Sequence, residues 1–215
     1  KFPHCECVHG IPRSAFKDKY YRWCNKNGYY YSDSKADAIY DYSKTLVPTL
    51  PNIDYIAALL AQSAAQLNCA CETLADLQAQ MTALSQQLPE YNVVMEMFGV
   101  GKVLAPQLIA EIGDTRRFHS RKAITAFAGL DAPPYQSGNI DVKSRSISKR
   151  GSPHLRKTLF QVVDVILKNS PEDEPVYRFL DKKRAEGKPY KVYMMAAANK
   201  FLRIYYAKVN EVLNA

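Results

Sequence analysis

Between Ile53 and Leu88 the chain carries apolar or small residues at 53, 56, 60, 64, 67, 71, 74, 77, 81, 84 and 88. The mean spacing over this stretch is 3.5 residues, the heptad period rather than the 3.6 of a straight amphipathic helix. No Lys or Arg occurs from Thr45 to Glu90, and the positions between the apolar ones are filled largely by Gln, Ser, Thr and Asn. A helix so built must cover its apolar stripe with another helix. Two arrangements satisfy it: a coiled-coil dimer or antiparallel arm, or a long core helix of one globular domain. Asn52 after Pro51 is the expected N-cap and Pro89 the stop, giving a rod roughly 54 Å long.

Charge divides the 215 residues around this helix. Residues 1–90 hold 8 basic and 9 acidic side chains, and residues 91–215 hold 21 and 12. A near-neutral half joined to a strongly basic one predicts a polyanion partner for the second half, with nucleic acid first. Hydrophobic residues at 47% and charged residues at 23% are globular proportions. No apolar run approaches the roughly 20 residues of a membrane span, so a cytoplasmic protein with no membrane partner is expected. The chain begins at Lys1 rather than Met, and a longer protein with its start upstream is the expectation. Five cysteines without a disulfide pattern point to reduced thiols. The run His4-Cys5-Glu6-Cys7-Val8-His9 offers metal-ligand types, but its spacing is not that of a zinc finger.

The expected fold is mainly α: the long heptad helix followed by a helical bundle containing a helix–hairpin–helix. The aromatic-rich residues 1–32 are expected to be irregular or partly β, with Tyr29-Tyr30-Tyr31 as a strand. Helices are expected at Ser34–Lys44, Tyr91–Met97, Lys102–Ile112, Ser120–Phe127, Ser152–Lys168, Pro175–Glu186 and Tyr190–Leu213. Pro133-Pro134 opens a loop of about 18 residues, long enough to suggest function.

Three features carry chemistry. Gly99 and Gly101 with Lys102, between two apolar-periodic helices, would let a backbone turn present amides and a cation to a phosphate. Lys143, Arg145, Lys149 and Arg150, interleaved with serines and continued by Arg156 and Lys157, suit backbone phosphates that are held without being read. Ser137, flanked by Gly138 and surrounded by cations, is a candidate nucleophile toward a phosphodiester. The same features also suit a plain interhelical turn, a solvated charge run and a Ser-Gly turn.

These residues fall into a recognisable order. Phe98-Gly99-Val100-Gly101, Glu111-Ile112-Gly113-Asp114, Arg117-Phe118, Ala126-Phe127-Ala128-Gly129-Leu130, Gln136-Ser137-Gly138, Ile147 through Arg156 and Asn199-Lys200-Phe201-Leu202 follow one another. Together they resemble the C-terminal transposase domain of the insertion-sequence DEDD transposases, the bridge-RNA-guided recombinases. Phe98 stands where that family usually has Pro. The resemblance implies three parts: residues 1–47 as the end of a RuvC-like nuclease domain, 48–90 as a coiled-coil arm, and 91–215 as the transposase domain. It implies DNA strand exchange through a phosphoserine on Ser137, with a guide RNA pairing to the DNA. It also implies Mg²⁺ on acidic residues of the nuclease domain, to which Asp37 and Asp33 of this chain would contribute. A homodimer or larger homo-oligomer through the coiled coil and a place at the prokaryotic nucleoid follow with it, and the chain alone would be inactive. Two other readings fit the residues: a non-catalytic helix–hairpin–helix module binding DNA or RNA, and a scaffold that dimerises through the heptad helix.

Overall fold

The computed structural model describes residues 1–132 and 146–215, and the backbone alone at 136–137 and 140–141. It divides into two compact units, Lys1–Ala75 and Asp76–Ala215. The described residues are mainly helical, as the sequence indicates.

In the first unit, residues 1–32 contain two helices where the sequence suggests irregular or partly β structure. Helix α1 spans Glu6–His9 and α2 spans Arg13–Lys26, while Tyr29–Tyr31 form no strand. The reason lies in the spacing of the bulky residues. Phe16, Tyr20 and Cys24 recur every four residues, so they share one helix face and are buried together. They pack with Val8, Ala36 and Tyr40 into a small core. Helix α3, Asp33–Thr45, starts at Ser32, whose hydroxyl accepts from the Lys35 amide at 3.4 Å.

Helix α4 runs from Asp54 to Ser85, 32 residues and about 48 Å. It begins two residues beyond Asn52, whose side chain instead accepts from the Cys7 thiol. Of its residues only Ser85 is buried. Leu67 and Leu74 are 64% and 65% exposed, so the stripe expected from the sequence is present and uncovered over this stretch.

The second unit is built around α10, Tyr190–Leu213. Met194, Ala197, Ala198, Phe201, Leu202, Tyr205 and Val209 fall on one face at helical spacing and are buried. Against them pack α8 (Pro153–Asn169), α9 (Pro175–Ala185), α7 (Arg121–Phe127) and α5 (Tyr91–Met95). Helix α6 (Leu104–Ile112) packs on α8 and contributes Leu108, Ile109 and Ile112 to the same core. Each fully buried large side chain stabilises the fold by about 1.5–3 kcal/mol. Helices α8 and α9 both open with Pro after a capping side chain, Ser152 and Glu174 respectively. No described helix is long and apolar enough to cross a membrane.

Candidate nucleic-acid interface

Leu130 and Ile147, which flank the segment carrying Ser137 in the sequence, both pack in the core of the second unit. The two ends of that segment are tied to each other. The Ser148 amide donates to Asp131 O at 2.7 Å, the Lys149 amide to Gly129 O at 3.1 Å, and the Ser152 amide to Phe127 O at 2.9 Å. The Ser148 hydroxyl also donates to the Asp131 carboxylate. Arg156 reaches across from α8, its Nη1 donating to Ala128 O at 3.0 Å and Gly151 O at 2.8 Å.

Glycine is required where these segments cross. A Cβ on Gly129 would meet Arg156 Nη1 at 2.6 Å and the Gly151 amide nitrogen at 2.7 Å, and the residue stands at φ +65°. A Cβ on Gly151 would overlap Phe127 O and lie 2.5 Å from the Gly129 nitrogen. Lys149 adopts φ +56° between them, a left-handed conformation that costs a non-glycine residue of order 1 kcal/mol. The surrounding bonds hold it there, with the side chain exposed.

The expected phosphate contacts separate into groups. Lys149, Arg150 and Lys157 are exposed. Lys157 lines a polar cleft of about 240 Å³ with Glu111, His154, Gln107 and Met81. Arg156 has its Nη1 engaged at the base of the loop, so its first role is to hold that base closed. Lys143 and Arg145 lie outside the described residues. Ser137 is described in its backbone only: Gln136–Ser137 pairs antiparallel with Ile140–Asp141, Ser137 opposite Ile140.

The glycines of the α5–α6 turn play different parts. Gly99, at φ +83°, lies so close to α8 that a Cβ would meet Ile166 Cγ1 and Val162 O at 2.9 Å. Its freedom therefore serves packing of the turn on the bundle. Gly101 has open space around it and Lys102 is exposed, so these two form the outward part of the turn.

Asp33 and Asp37 lie in the first unit, one turn apart on α3. Lys17 Nζ is 3.3 Å from Asp33 Oδ1 and 2.8 Å from Asp37 Oδ2, and Arg13 Nη1 is 3.1 Å from Asp37 Oδ1. Arg13 also pairs with Asp41. A hydrogen bond from Tyr31, then Lys17, holds the Asp33 carboxyl below its ordinary range, and Lys17 does the same for Asp37. Lys17 thus bridges the two carboxylates, which would have to release it to hold a Mg²⁺ ion, and among the described residues no group of three or more His, Cys, Asp or Glu is placed to hold a metal ion. The run from His4 to His9 forms no such group either.

Residues 91–178 match the transposase IS116/IS110/IS902 family. The matched transposase segment runs from α5 to the start of α9, and so includes the α5–α6 turn, the pinned loop base and Arg156. Among relatives, the IS110 insertion element uncharacterized 43.6 kDa protein of Streptomyces coelicolor is 26% identical over 179 residues, 83% of this chain and 42% of that one. The pilin gene-inverting protein of Moraxella bovis is 30% identical over 145 residues, 65% of this chain and 44% of the relative. The transposase for insertion sequence element IS1111A of Coxiella burnetii is 31% identical over 98 residues, 46% and 27%. The chain spans less than half the length of each of these relatives.

Several residues around the transposase segment were not singled out as functional in the sequence. Arg117 lies 4.6 Å from the ring centroids of both Phe118 and Phe127 and donates to Ile112 O at 2.9 Å. It thereby fixes the approach to α7 and the start of the loop. Asn199 Oδ1 accepts from the Thr125 hydroxyl at 3.3 Å and lines a largely apolar cleft of about 500 Å³ with Lys149, Ile147, Phe160, Tyr190 and Met195. The Asn199-Lys200-Phe201-Leu202 run was the available signal, an Asn inside an apolar helix.

Proposed function

We propose that this chain is part of a transposase that exchanges DNA strands through a covalent phosphoserine on Ser137. The observation that carries the reading is the position of Ser137: inside the family-matched segment, on a loop whose base is held by three backbone bonds and Arg156. Ser137 Oγ attacks a DNA phosphodiester, a Ser–O–P bond forms as the P–O bond to one sugar breaks, and the departing sugar oxygen takes up a proton. The hydroxyl of the incoming strand then attacks the phosphoserine, which restores a phosphodiester and frees the serine. Lys149 and Arg150, with Lys143 and Arg145 of the same loop, supply positive charge to the non-bridging phosphate oxygens and the departing sugar oxygen. Gly101 and Lys102 hold DNA backbone at the α5–α6 turn, a helix–hairpin–helix role.

The same reading assigns sequence choice to a guide RNA, self-association to the α4 stripe, and magnesium to acidic residues of the whole protein. Within this chain, Lys17 and Arg13 hold the carboxylates of Asp33 and Asp37. The names of the relatives support DNA as substrate, an insertion-element transposase in one case and a gene-inverting protein in another. The test uses the intact protein with an RNA transcript of its element and donor and target DNA. Ser137→Ala should abolish recombinant product while nucleic-acid binding is retained. Product formed at the wild-type rate by Ser137→Ala would remove Ser137 as the nucleophile, and nucleic-acid binding without product from the wild type would leave only a binding module. Unchanged product when the RNA is omitted would remove RNA guidance alone.

A further inference from the structure

We propose that α2 and the Trp23–Tyr29 aromatic stack form a second nucleic-acid site, in the first unit, which binds a single-stranded segment. The near-neutral balance of residues 1–90 hides it. Five cations stand on α2, and the fold sorts them. Arg13 and Lys17 face α3 and are neutralised by Asp33, Asp37 and Asp41. Lys19, Arg22 and Lys26, at i, i+3 and i+7, lie together along another face, are exposed, and form no ion pair among the described residues. All three line a groove of about 750 Å³, together with Trp23 and Phe2, and no Asp or Glu lines it.

The aromatic residues add a stacking surface. Phe16, Tyr20, Trp23 and Tyr29 form a ladder of near-parallel rings, with successive centroids 5.9, 6.2 and 5.2 Å apart and interplanar angles of 7°, 14° and 13°. The ladder starts at fully buried Phe16 and ends at Tyr29, which is 60% exposed. A core ring stack that emerges beside an unpaired cationic groove matches the chemistry of an unpaired strand. Its phosphates follow the cations, and a base continues the stack. A duplex keeps its bases stacked on each other and would use only the charges. An acidic peptide would likewise have no use for the ladder.

Trp23 is the only tryptophan in the chain, so intrinsic fluorescence reads this site without interference from the basic second unit. The experiment titrates the full chain with 12-mer oligo(dT) and oligo(U), with a 12-bp duplex and polyglutamate as comparators. Saturable quenching by a single strand is expected. Three phosphate contacts give a slope of log K against log salt of about −2, at about −0.7 per contact on a single strand. Arg22→Ala with Lys26→Ala should lower the slope to about −0.7, both substitutions being exposed and circular dichroism checking that the fold is kept. Tyr29→Ala should weaken binding about five-fold or more, and Tyr29→Phe should retain it. The ratio of oligo(dT) to oligo(U) affinity identifies DNA or RNA as the source of the strand. Oligonucleotide binding seen by anisotropy without any change at Trp23 would overturn the proposal. So would equal quenching by polyglutamate or duplex, or equal affinity of Tyr29→Ala and wild type. None of these outcomes bears on Ser137, which lies in the other unit.

Discussion

The crossing at the base of the Ser137 loop makes Gly151→Ala the most informative single substitution. The added Cβ would overlap Phe127 O and stand 2.5 Å from the Gly129 nitrogen, against 3.4 Å or more in an ordinary contact. Both neighbours are backbone atoms, so no side chain can swing away, and the two segments must separate by about 1 Å. The bonds from Lys149 to Gly129 and from Ser152 to Phe127, now 3.1 and 2.9 Å, would then pass the limit of a hydrogen bond. Arg156 would lose contact with one of its two carbonyls. Two neutral bonds at about 1 kcal/mol each and one charged bond at about 1.5–3 kcal/mol predict a loss of about 3–5 kcal/mol. At 2–4 °C per kcal/mol, the second unit should melt roughly 10 °C lower. Thermal unfolding by circular dichroism measures the loss, and amide exchange at Ser148, Lys149 and Ser152 locates it. Gly101→Ala is the control: its Cβ meets nothing within 4 Å, and its effect should stay within about 0.5 kcal/mol. A Gly151→Ala protein with the wild-type midpoint and full protection at those amides would refute the pinned base.

Other expectations follow from the same contacts. Arg156→Ala should lower the stability of the second unit by about 1.5–3 kcal/mol, because the single Nη1 that donates to both Ala128 O and Gly151 O is lost; a wild-type melting midpoint in the Ala variant would contradict this. Leu67→Lys with Leu74→Lys should abolish self-association in light scattering and leave the melting of the second unit unchanged, since both side chains are exposed. Persistence of the oligomer would remove the heptad stripe from that role. The carboxyls of Asp33 and Asp37 are held below their ordinary range, so their pairs stabilise the first unit above about pH 4 and lose that effect as pH falls through the folded-state values. Trp23 fluorescence should therefore report acid unfolding of this unit, and Asp37→Asn should flatten its acid limb. An unchanged acid profile in Asp37→Asn would show that the Lys17 and Arg13 pairs contribute nothing.

The second unit was legible because its helices have aliphatic faces and explicit ends. Ser152-Pro153, Pro175 and Gly187-Lys188-Pro189 punctuate the chain, and α8, α9 and α10 start and end within a residue or so of the expected positions. The helix α3 of the first unit was legible too, within a residue at each end, but residues 1–32 were not, because aromatic residues carry their helical period. Phe16, Tyr20 and Cys24 lie four apart, yet neighbouring Tyr21, Trp23 and the tyrosine run read locally as strand formers. Lys149, Arg150 and Lys157 are exposed, as outward cations should be. The inward duties of Gly99 and Arg156 were not visible, because spacing says that a glycine turns or a cation is present, and not which neighbour it meets. Charge balance misled in the same way for α2, where summing Arg13 and Lys17 with their partners concealed Lys19, Arg22 and Lys26.

On the proposed reading Ser137, on its pinned loop, forms the bond to DNA. The direct measurement is to trap the intact protein on a DNA substrate nicked near the exchange point, digest it, and locate the nucleotide-bearing peptide by mass spectrometry. The adduct is predicted on Ser137, absent in Ser137→Ala, and reduced in Gly151→Ala as the loop base opens. A DNA adduct on another residue, or one that persists in Ser137→Ala, would contradict the account.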